Sequence, residues 1–387
     1  MNAGSFIAGK LRFEGKMAVI AIAISFLVII IAVTVSAGFR REIRNGISAA
    51  TGDIQMYDPV SGNYSIDHPI PARPSCYERL AGVKGVREIT PVIYRTGIIK
   101  AGDVLEGVIF KGVPDSDSVS LRVSIPQRLA EKLRLQPGDP MLSYFVEERL
   151  KIRRFTVRDI YQSPVEDGDK LMVIASLADM QRLNGWTADQ ASALEVSLEG
   201  RWRDAAPSRS KAMELGTISL VSTTEDESPL VAAAAADRYP QLFDWLDLID
   251  FNVLAILVLM TIVAAFNMIS GLLILLLRNV PTIGTLKSLG MTDKAISGVF
   301  LRVSARIVLK GILIGNALGL LFCLIQGTTH WIRLNPENYF VSYVPVSVNL
   351  PGILLADVAA GLAILLLLQL PLIFVSRVDP ARTVRVS

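Results

Sequence analysis

Apolar and polar positions alternate along this chain on a coarse scale first: four long apolar runs are separated by one very long polar stretch and two short ones. Met17–Ala37 contains no charged residue. As a helix rising 1.5 Å per residue it is about 31 Å long, the thickness of a bilayer's hydrocarbon core. Phe251–Leu277, Ile307–Gly327 and Leu350–Val375 are runs of the same kind. The pattern predicts four transmembrane helices, over residues 17–37, 251–277, 305–327 and 350–375. A basic N-terminal region (Lys10, Arg12, Lys16) and the small residues Val35–Ala37 would also suit a cleaved leader. The first run is longer than the usual leader core of about 7–15 residues, so a retained helix is expected.

On a finer scale, residues 38–250 carry two periods. "GDIQMY", "VIYRTGIIKAG", "VLEGVIFKGV", "LMVIAS" and "ALEVSL" alternate or are rich in β-branched residues and read as strands. "PMLSYFVEERLKIRRFTVRDIY" reads as a hairpin turning at Glu147–Glu148. "CYERLAGV", "IPQRLAEKLRLQPGD", "LADMQRLNG" and "PSRSKAMELG" fit short helices, with Gly82 and Gly185 as stops, and "TISLVST" fits a last strand. The fold class predicted is an α-helical membrane protein, 1 + 3 helices, with a large α+β extracytoplasmic domain inserted between helices 1 and 2. Two subdomains are expected in it, about 50–115 plus 190–228, and 116–189.

Charge orients the chain. The connection 278–304 and the start of the third span hold Arg278, Lys287, Lys294, Arg302 and Arg306 against Asp293. The tail 376–387 has Arg377, Arg382 and Arg385 against Asp379, and the loop 328–349 has only Arg333 against Glu337. Basic short loops stay in the cytoplasm. The connection, the tail and residues 1–16 are therefore expected to be cytoplasmic, and 38–250 and 328–349 periplasmic. "FRREIR" (Phe39–Arg44) is basic on the outer side and needs its own explanation.

Composition removes several function classes. The chain is 387 residues long, 51% hydrophobic with mean hydropathy +0.44, and its net charge of +3 is too small for a nucleic-acid binder. Cys76 and Cys323 are the only cysteines, one in the outer domain and one inside the third span, so no disulfide framework is expected. His68 and His330 are the only histidines and leave no His-based metal site or catalytic triad. Glu166, Asp167 and Asp169 read as a solvated loop. No GxxxxGK[ST] motif is present, so no P-loop nucleotide site is expected, and the chain is read as a non-enzyme without cofactor or metal.

One short connection is unusual. "RNVPTIGTLKSLGMTDKAISGVFLR" (Arg278–Arg302) has Pro281 suited to a first helical turn. Ile283, Leu286 and Leu289 follow at helical spacing, and Gly290 suits a left-handed helix end. Thr292 can cap the next helix, with Asp293 in its first turn. The pattern reads as a short helix lying along the membrane between two spans, with a plain interfacial turn as the other reading. Elsewhere, Arg40, Arg41 and Arg44 follow span one, while Asp244, Asp247 and Asp250 recur at i, i+3 and i+6 before span two. Beside them run the apolar stripes Phe39, Ile43, Ile47 and Leu242, Leu246, Ile249. Paired stalk helices joined by Arg–Asp contacts are one reading; two independent solvated faces are the other. Gly311, Gly315 and Gly319 form successive GxxxG steps in the third span, for packing within the chain or against a second copy. Asp357 lies inside the fourth span, where a carboxylate faces protein or water.

"VAAFNMISGLLILLL" (Val263–Leu277) followed by "IGTLKSLGMTDKAISGVFL" (Ile283–Leu301) resembles the signature of ABC-transporter permeases of the MacB/FtsX superfamily, most of all the LolC/LolE lipoprotein-releasing permeases. The 1 + 3 layout and "SAGFRREIRNGI" after span one are similar as well. The resemblance implies that Pro281, Thr282, Ile283, Thr285, Leu286, Lys287, Ser288, Leu289 and Gly290 form a coupling helix seated in a groove of a separate ABC ATPase subunit. It implies a second permease, identical or related, in a bacterial inner membrane. It also implies extraction or release of lipoproteins or other amphipathic substrates from the outer leaflet. Two departures stand out: the family often has an Arg-Glu pair where Pro281 and Thr282 stand, and the hairpin at Leu142–Phe155 is too tight for the protruding hook that recruits a periplasmic carrier in LolC-type domains. Force transmission to a periplasmic partner, or efflux of small amphipathic molecules, is the alternative. A membrane-anchored scaffold without an ATPase and a proton-driven transporter using Asp357 are the readings from other classes.

Overall fold

A computed structural model describes residues 16–60, 68–102, 104–114, 120–146, 150–161, 171–224, 227–335, 339 and 341–376. The charges at Lys10, Arg12, Glu337, Arg377, Asp379, Arg382 and Arg385, the acids Glu166, Asp167 and Asp169, and the expected turn at Glu147–Glu148 lie outside the described residues. The chain divides into two compact units. One comprises residues 1–40, 246–333 and 343–387, and the other residues 41–245 and 334–342.

Among the described residues of the first unit four helices are long and apolar enough to cross a membrane. These are α1 (Lys16–Thr51), α7 (Pro240–Arg278), α9 (Asp293–Thr329) and Leu350–Leu372, which takes in α10 (Leu350–Leu367) and the residues just after it; α1 and α7 contribute residues to both units. The apolar run expected as one span over 350–375 is broken at Leu368, and α11 (Gln369–Ser376) follows. Pro371 in the first turn of α11 lacks the N–H that would continue the ladder. The buried cluster of this unit joins Ile22, Phe26 and Ile29 of α1, Ala264, Met268 and Leu272 of α7, Ile296, Phe300 and Val303 of α9, and Ala360 and Ile364 of α10.

The second unit is built on one sheet in the order β11-β1-β10-β3-β4-β8-β5-β7-β6, which also pairs β3 with β6. The strands are β1 (Ile54–Tyr57), β3 (Val86–Ala101), β4 (Val104–Val113), β5 (Arg122–Pro126), β6 (Pro140–Phe145), β7 (Lys151–Tyr161), β8 (Leu171–Ser176), β10 (Ala193–Leu198) and β11 (Val231–Ala234); β2 (Ile70–Pro71) and β9 (Gln190–Ala191) pair separately. Because β3 meets both β4 and β6, six strands close into a barrel. Its interior holds Phe110, Phe145 and Phe155, the first two with ring centroids 4.9 Å apart. A second core lies among β1, β10, α2 (Tyr77–Ala81) and α5 (Ala205–Ser222), with Ile54, Met56, Leu80, Val196 and Leu215 buried. The remaining helices are α3 (Gln127–Leu133), α4 (Leu177–Asn184) and α6 (Ala235–Arg238).

Two expectations change. The cores separate within β3, near residue 92, not after residue 115, because β4 pairs in the barrel, and the second core runs on to Ala234. "TISLVST" is not a strand: α5 continues to Ser222. Ala212, Leu215 and Ser219 are buried at helical spacing, and the Thr217 hydroxyl donates to the carbonyl of Met213 four residues back, which accommodates a β-branched residue in the helix. The last strand of the sheet is β11 instead.

Candidate functional site

The connection after α7 folds as its residues dictate. Asn279 breaks the long helix; its amide donates to Leu275 and Leu276 carbonyls and its side chain to Leu275, while its own carbonyl accepts from Ile283 N. Helix α8 (Val280–Ser288) then begins with Pro281 in its first turn. It ends with Gly290 at φ +87°, where Gly290 N donates to the Lys287 carbonyl and Met291 N to that of Leu286. That pair of bonds closes a left-handed helix end and uses the backbone freedom of glycine. Thr292 caps α9, its hydroxyl accepting from Ala295 N at 3.4 Å. Lys287 Nζ lies 2.9 Å from an Asp293 carboxylate oxygen and ties α8 to α9.

α8 has two faces. Ile283 and Gly284 are buried and Leu286 packs against the core of the first unit. Pro281, Thr282, Thr285, Ser288, Leu289 and Gly290 are exposed. The Thr285 and Ser288 hydroxyls turn back onto helix carbonyls, leaving a compact, mostly uncharged knob. Leu289 does not join the inward stripe of Ile283 and Leu286: it sits at the helix end with φ −81° and ψ 7° and is 79% exposed.

Of the Arg and Asp sets, Arg40 forms an ion pair with Asp250, which also accepts from the Ser36 hydroxyl at 2.7 Å. Arg44 pairs with Asp204, a partner the sequence pattern did not single out. Arg41, Asp244 and Asp247 are exposed, while Phe39, Ile43, Ile47, Leu242 and Leu246 are buried. Gly311, Gly315 and Gly319 all face α1: a Cβ there would lie 2.5 Å from Ile22 Cγ2, 2.6 Å from the Ala23 carbonyl oxygen and 2.9 Å from Ile30 Cγ2. Asp357 is buried and accepts from Asn316 Nδ2 at 2.6 Å, joining α10 to α9.

Sequence reasoning missed a polar socket around the C-terminus of α1. The helix supplies no basic residue in its own last turn. Lys111 on β4 donates to the Ala50 carbonyl at 2.7 Å and pairs with Glu195 on β10 at 2.8 Å. Arg238 donates to the carbonyls of Thr51 and Gly52 at 3.0 and 3.2 Å, and Arg203 to that of Arg44 at 3.2 Å. Lys111 and Arg238 thus meet the negative end of the helix dipole and its last carbonyls, while Arg203 holds the helix further back. Tyr94 donates to Glu195 from the other side; burial, and then the Glu195 charge, push its hydroxyl well above the ordinary phenol range. Each cation comes from a distant part of the chain, so only their basic character was legible. No cluster of His, Cys, Asp and Glu able to hold a metal occurs among the described residues.

Residues 254–380 match the family described as FtsX-like permease C-terminal. Along nearly the whole chain, similarity extends to "Lipoprotein-releasing system transmembrane protein LolE" of Haemophilus influenzae, 23% identical over 95% of this chain and 93% of that protein. The protein of Xylella fastidiosa called "Lipoprotein-releasing system transmembrane protein LolC" is 21% identical over 97% of this chain and 95% of its own length. Among solved structures, the periplasmic region of MacB from Actinobacillus actinomycetemcomitans aligns with 51% of this chain and 95% of its own, at 11% identity and a TM-score of 0.32.

Proposed function

We propose that this chain is a member of the MacB/FtsX superfamily and the permease subunit of an ATP-driven ABC complex, a reading supported by the FtsX-like match of residues 254–380 and the similarity to LolE and LolC along the chain. In this reading α8 is the coupling helix. It docks on a separate ATPase, while a second permease, a copy or a relative, completes the complex in a bacterial inner membrane. The termini and α8 face the cytoplasm and the second unit faces the periplasm. The cargo is a lipoprotein or another amphipathic molecule taken from the outer leaflet.

The observation that carries the reading is the two-faced character of α8. A helix with Pro281 in its first turn and a closed end at Gly290 keeps Ile283 in the core of the membrane unit and turns Pro281, Thr285, Ser288 and Leu289 outward. A mere linker between spans gains nothing from a closed helix end, an ion pair to the next helix and an exposed leucine together. A seated knob needs all three, because a docked element transmits displacement only if it does not melt.

Co-purification of the partner ATPase tests this. Leu289→Asp combined with Thr285→Asp is expected to reduce recovery at least tenfold, since both positions are exposed and neither supports the core. Unchanged recovery, with the variant as abundant in the membrane as the parent, overturns the docking assignment. A second reading, transmission of force to a periplasmic partner, is favoured by the socket: Lys111 and Arg238 hold the end of α1 and Arg203 the turn around Arg44, from separate elements, as a lever's end must be held.

A further inference from the structure

The outward face of the barrel carries an apolar strip that neither the fold nor the docking helix uses. Side chains on four adjacent strands line up in register. One row runs Gly107, Ile98, Tyr144, Ile152 across β4, β3, β6 and β7; the next runs Leu105, Lys100, Leu142, Arg154. Leu105, Ile152, Ile98 and Leu142 are 63%, 47%, 39% and 37% exposed, and Val146 and Leu150 beyond them 69% and 58%. Such contiguous exposure of large apolar side chains marks a binding surface. Gly107, Ile98 and Tyr144 of the first row border a hollow of about 430 Å³ also walled by Thr96, Ile109 and Val146. Gly107 opens it: a Cβ there would meet nothing within 4 Å. Lys100, Leu142 and Arg154 border a second hollow of about 400 Å³. Neither Lys100 nor Arg154 has an ion pair or a side-chain hydrogen bond among the described residues. Lys100 and Arg154 are the described cations of the second row.

We propose that this strip holds the hydrocarbon chain of an anionic, phosphate-headed amphiphile, with the chain along Ile98, Tyr144 and Ile152 and the headgroup at Lys100 and Arg154. The rows are two residues apart along each strand, about 7 Å, so headgroup and chain are met side by side. An added peptide strand is the poorer occupant. β3, β4, β6 and β7 each have a neighbour on both sides in the closed barrel, so they offer no free edge for backbone pairing. What remains is apolar area plus two cations with no partner among the described residues, which a lipid matches in both respects. This deepens the permease reading by naming where cargo hydrocarbon is met outside the membrane, and rests on it only in taking the amphiphile to be cargo.

The test uses the full chain in phosphatidylcholine nanodiscs without any ATPase. The probe is a lysophosphatidylglycerol bearing a diazirine in its chain, compared with the matching lysophosphatidylcholine. Cross-links mapped by mass spectrometry are expected on peptides containing Ile98, Gly107, Tyr144 or Ile152. Gly107→Leu, whose Cβ meets nothing within 4 Å and whose side chain occupies the hollow, is expected to reduce labelling at least fivefold with unchanged thermal unfolding. Lys100→Glu with Arg154→Glu is expected to abolish the preference for the anionic probe. Ile98→Asp serves as the second variant if Gly107→Leu misfolds. Labels confined to other parts of the chain, or both variants labelling like the parent, overturn the proposal. So does a photoreactive residue at position 98 that captures a soluble protein and no lipid. Because no ATPase is present, a failed co-purification leaves a positive labelling result standing, and failed labelling leaves the docking assignment standing.

Discussion

Lys111 states most sharply what individual residues do here. Its side chain is 5% exposed and that of Glu195 9%, so the pair sits outside the reach of solvent screening. Removing the cation strands a buried carboxylate and releases the Ala50 carbonyl together. Lys111→Met is therefore expected to cost about 3–5 kcal/mol of stability, measured by chemical unfolding. Lys111→Met with Glu195→Gln should recover part of that loss, because no uncompensated charge is left behind. The surface pair Arg209–Asp237, with both side chains about half exposed, is the contrast: its loss should cost at most about 1 kcal/mol. If Lys111→Met is as mild as Arg209→Met, the socket does not hold the end of α1. Nothing local marks Lys111 in the sequence. Ala50 and Glu195 lie 61 and 84 positions away, and "VIFKGV" reads only as strand.

Elements were legible to the extent that their signals are local. Pro281, Gly290 and Thr292 act through their own backbone and neighbouring N–H groups, so the helix they bound could be read from residue type. The stretch Thr217–Ser222 misled because β-branched residues satisfy a strand pattern and a helical one alike; packing of Leu215 and Ser219 decides. The glycines of α9 were legible as a packing face but not as facing α1, since spacing names no partner. Their role makes a sharp prediction. At Gly315 a Cβ would fall 2.6 Å from a backbone oxygen of Ala23, which cannot swing away as a side chain can. Gly315→Ala should lower stability by about 1–3 kcal/mol in a thermal-shift measurement in detergent. Gly298→Ala, in the same helix with nothing within 4 Å, should be neutral or stabilising by about 0.5–1 kcal/mol. Equal effects at the two positions would mean that α9 does not approach α1 this closely.

Across the whole molecule, hydropathy is additive along the chain, so four apolar helices and an inserted domain could be counted without any knowledge of contacts. Strand order is another matter. β1 pairs with β10 and β11, and β4 lies parallel to β8, through pairings that no window of sequence contains. The same long-range pairing makes the inserted unit autonomous. Residues 41–245 contain every strand of the nine-stranded sheet and both of its cores. A segment with its own cores folds alone. Residues 41–245 expressed without the spans should therefore yield a soluble protein with mixed α/β circular dichroism. Its melting should be a single transition, not two. β3 is 16 residues long and contributes Ile89 to one core and Ile93 and Ile99 to the other. Unfolding either core strips a central strand from its neighbour, which couples the two. Two resolved transitions would show that the cores are energetically separate despite their common strand, and a non-cooperative melt that the unit depends on the membrane helices for its fold.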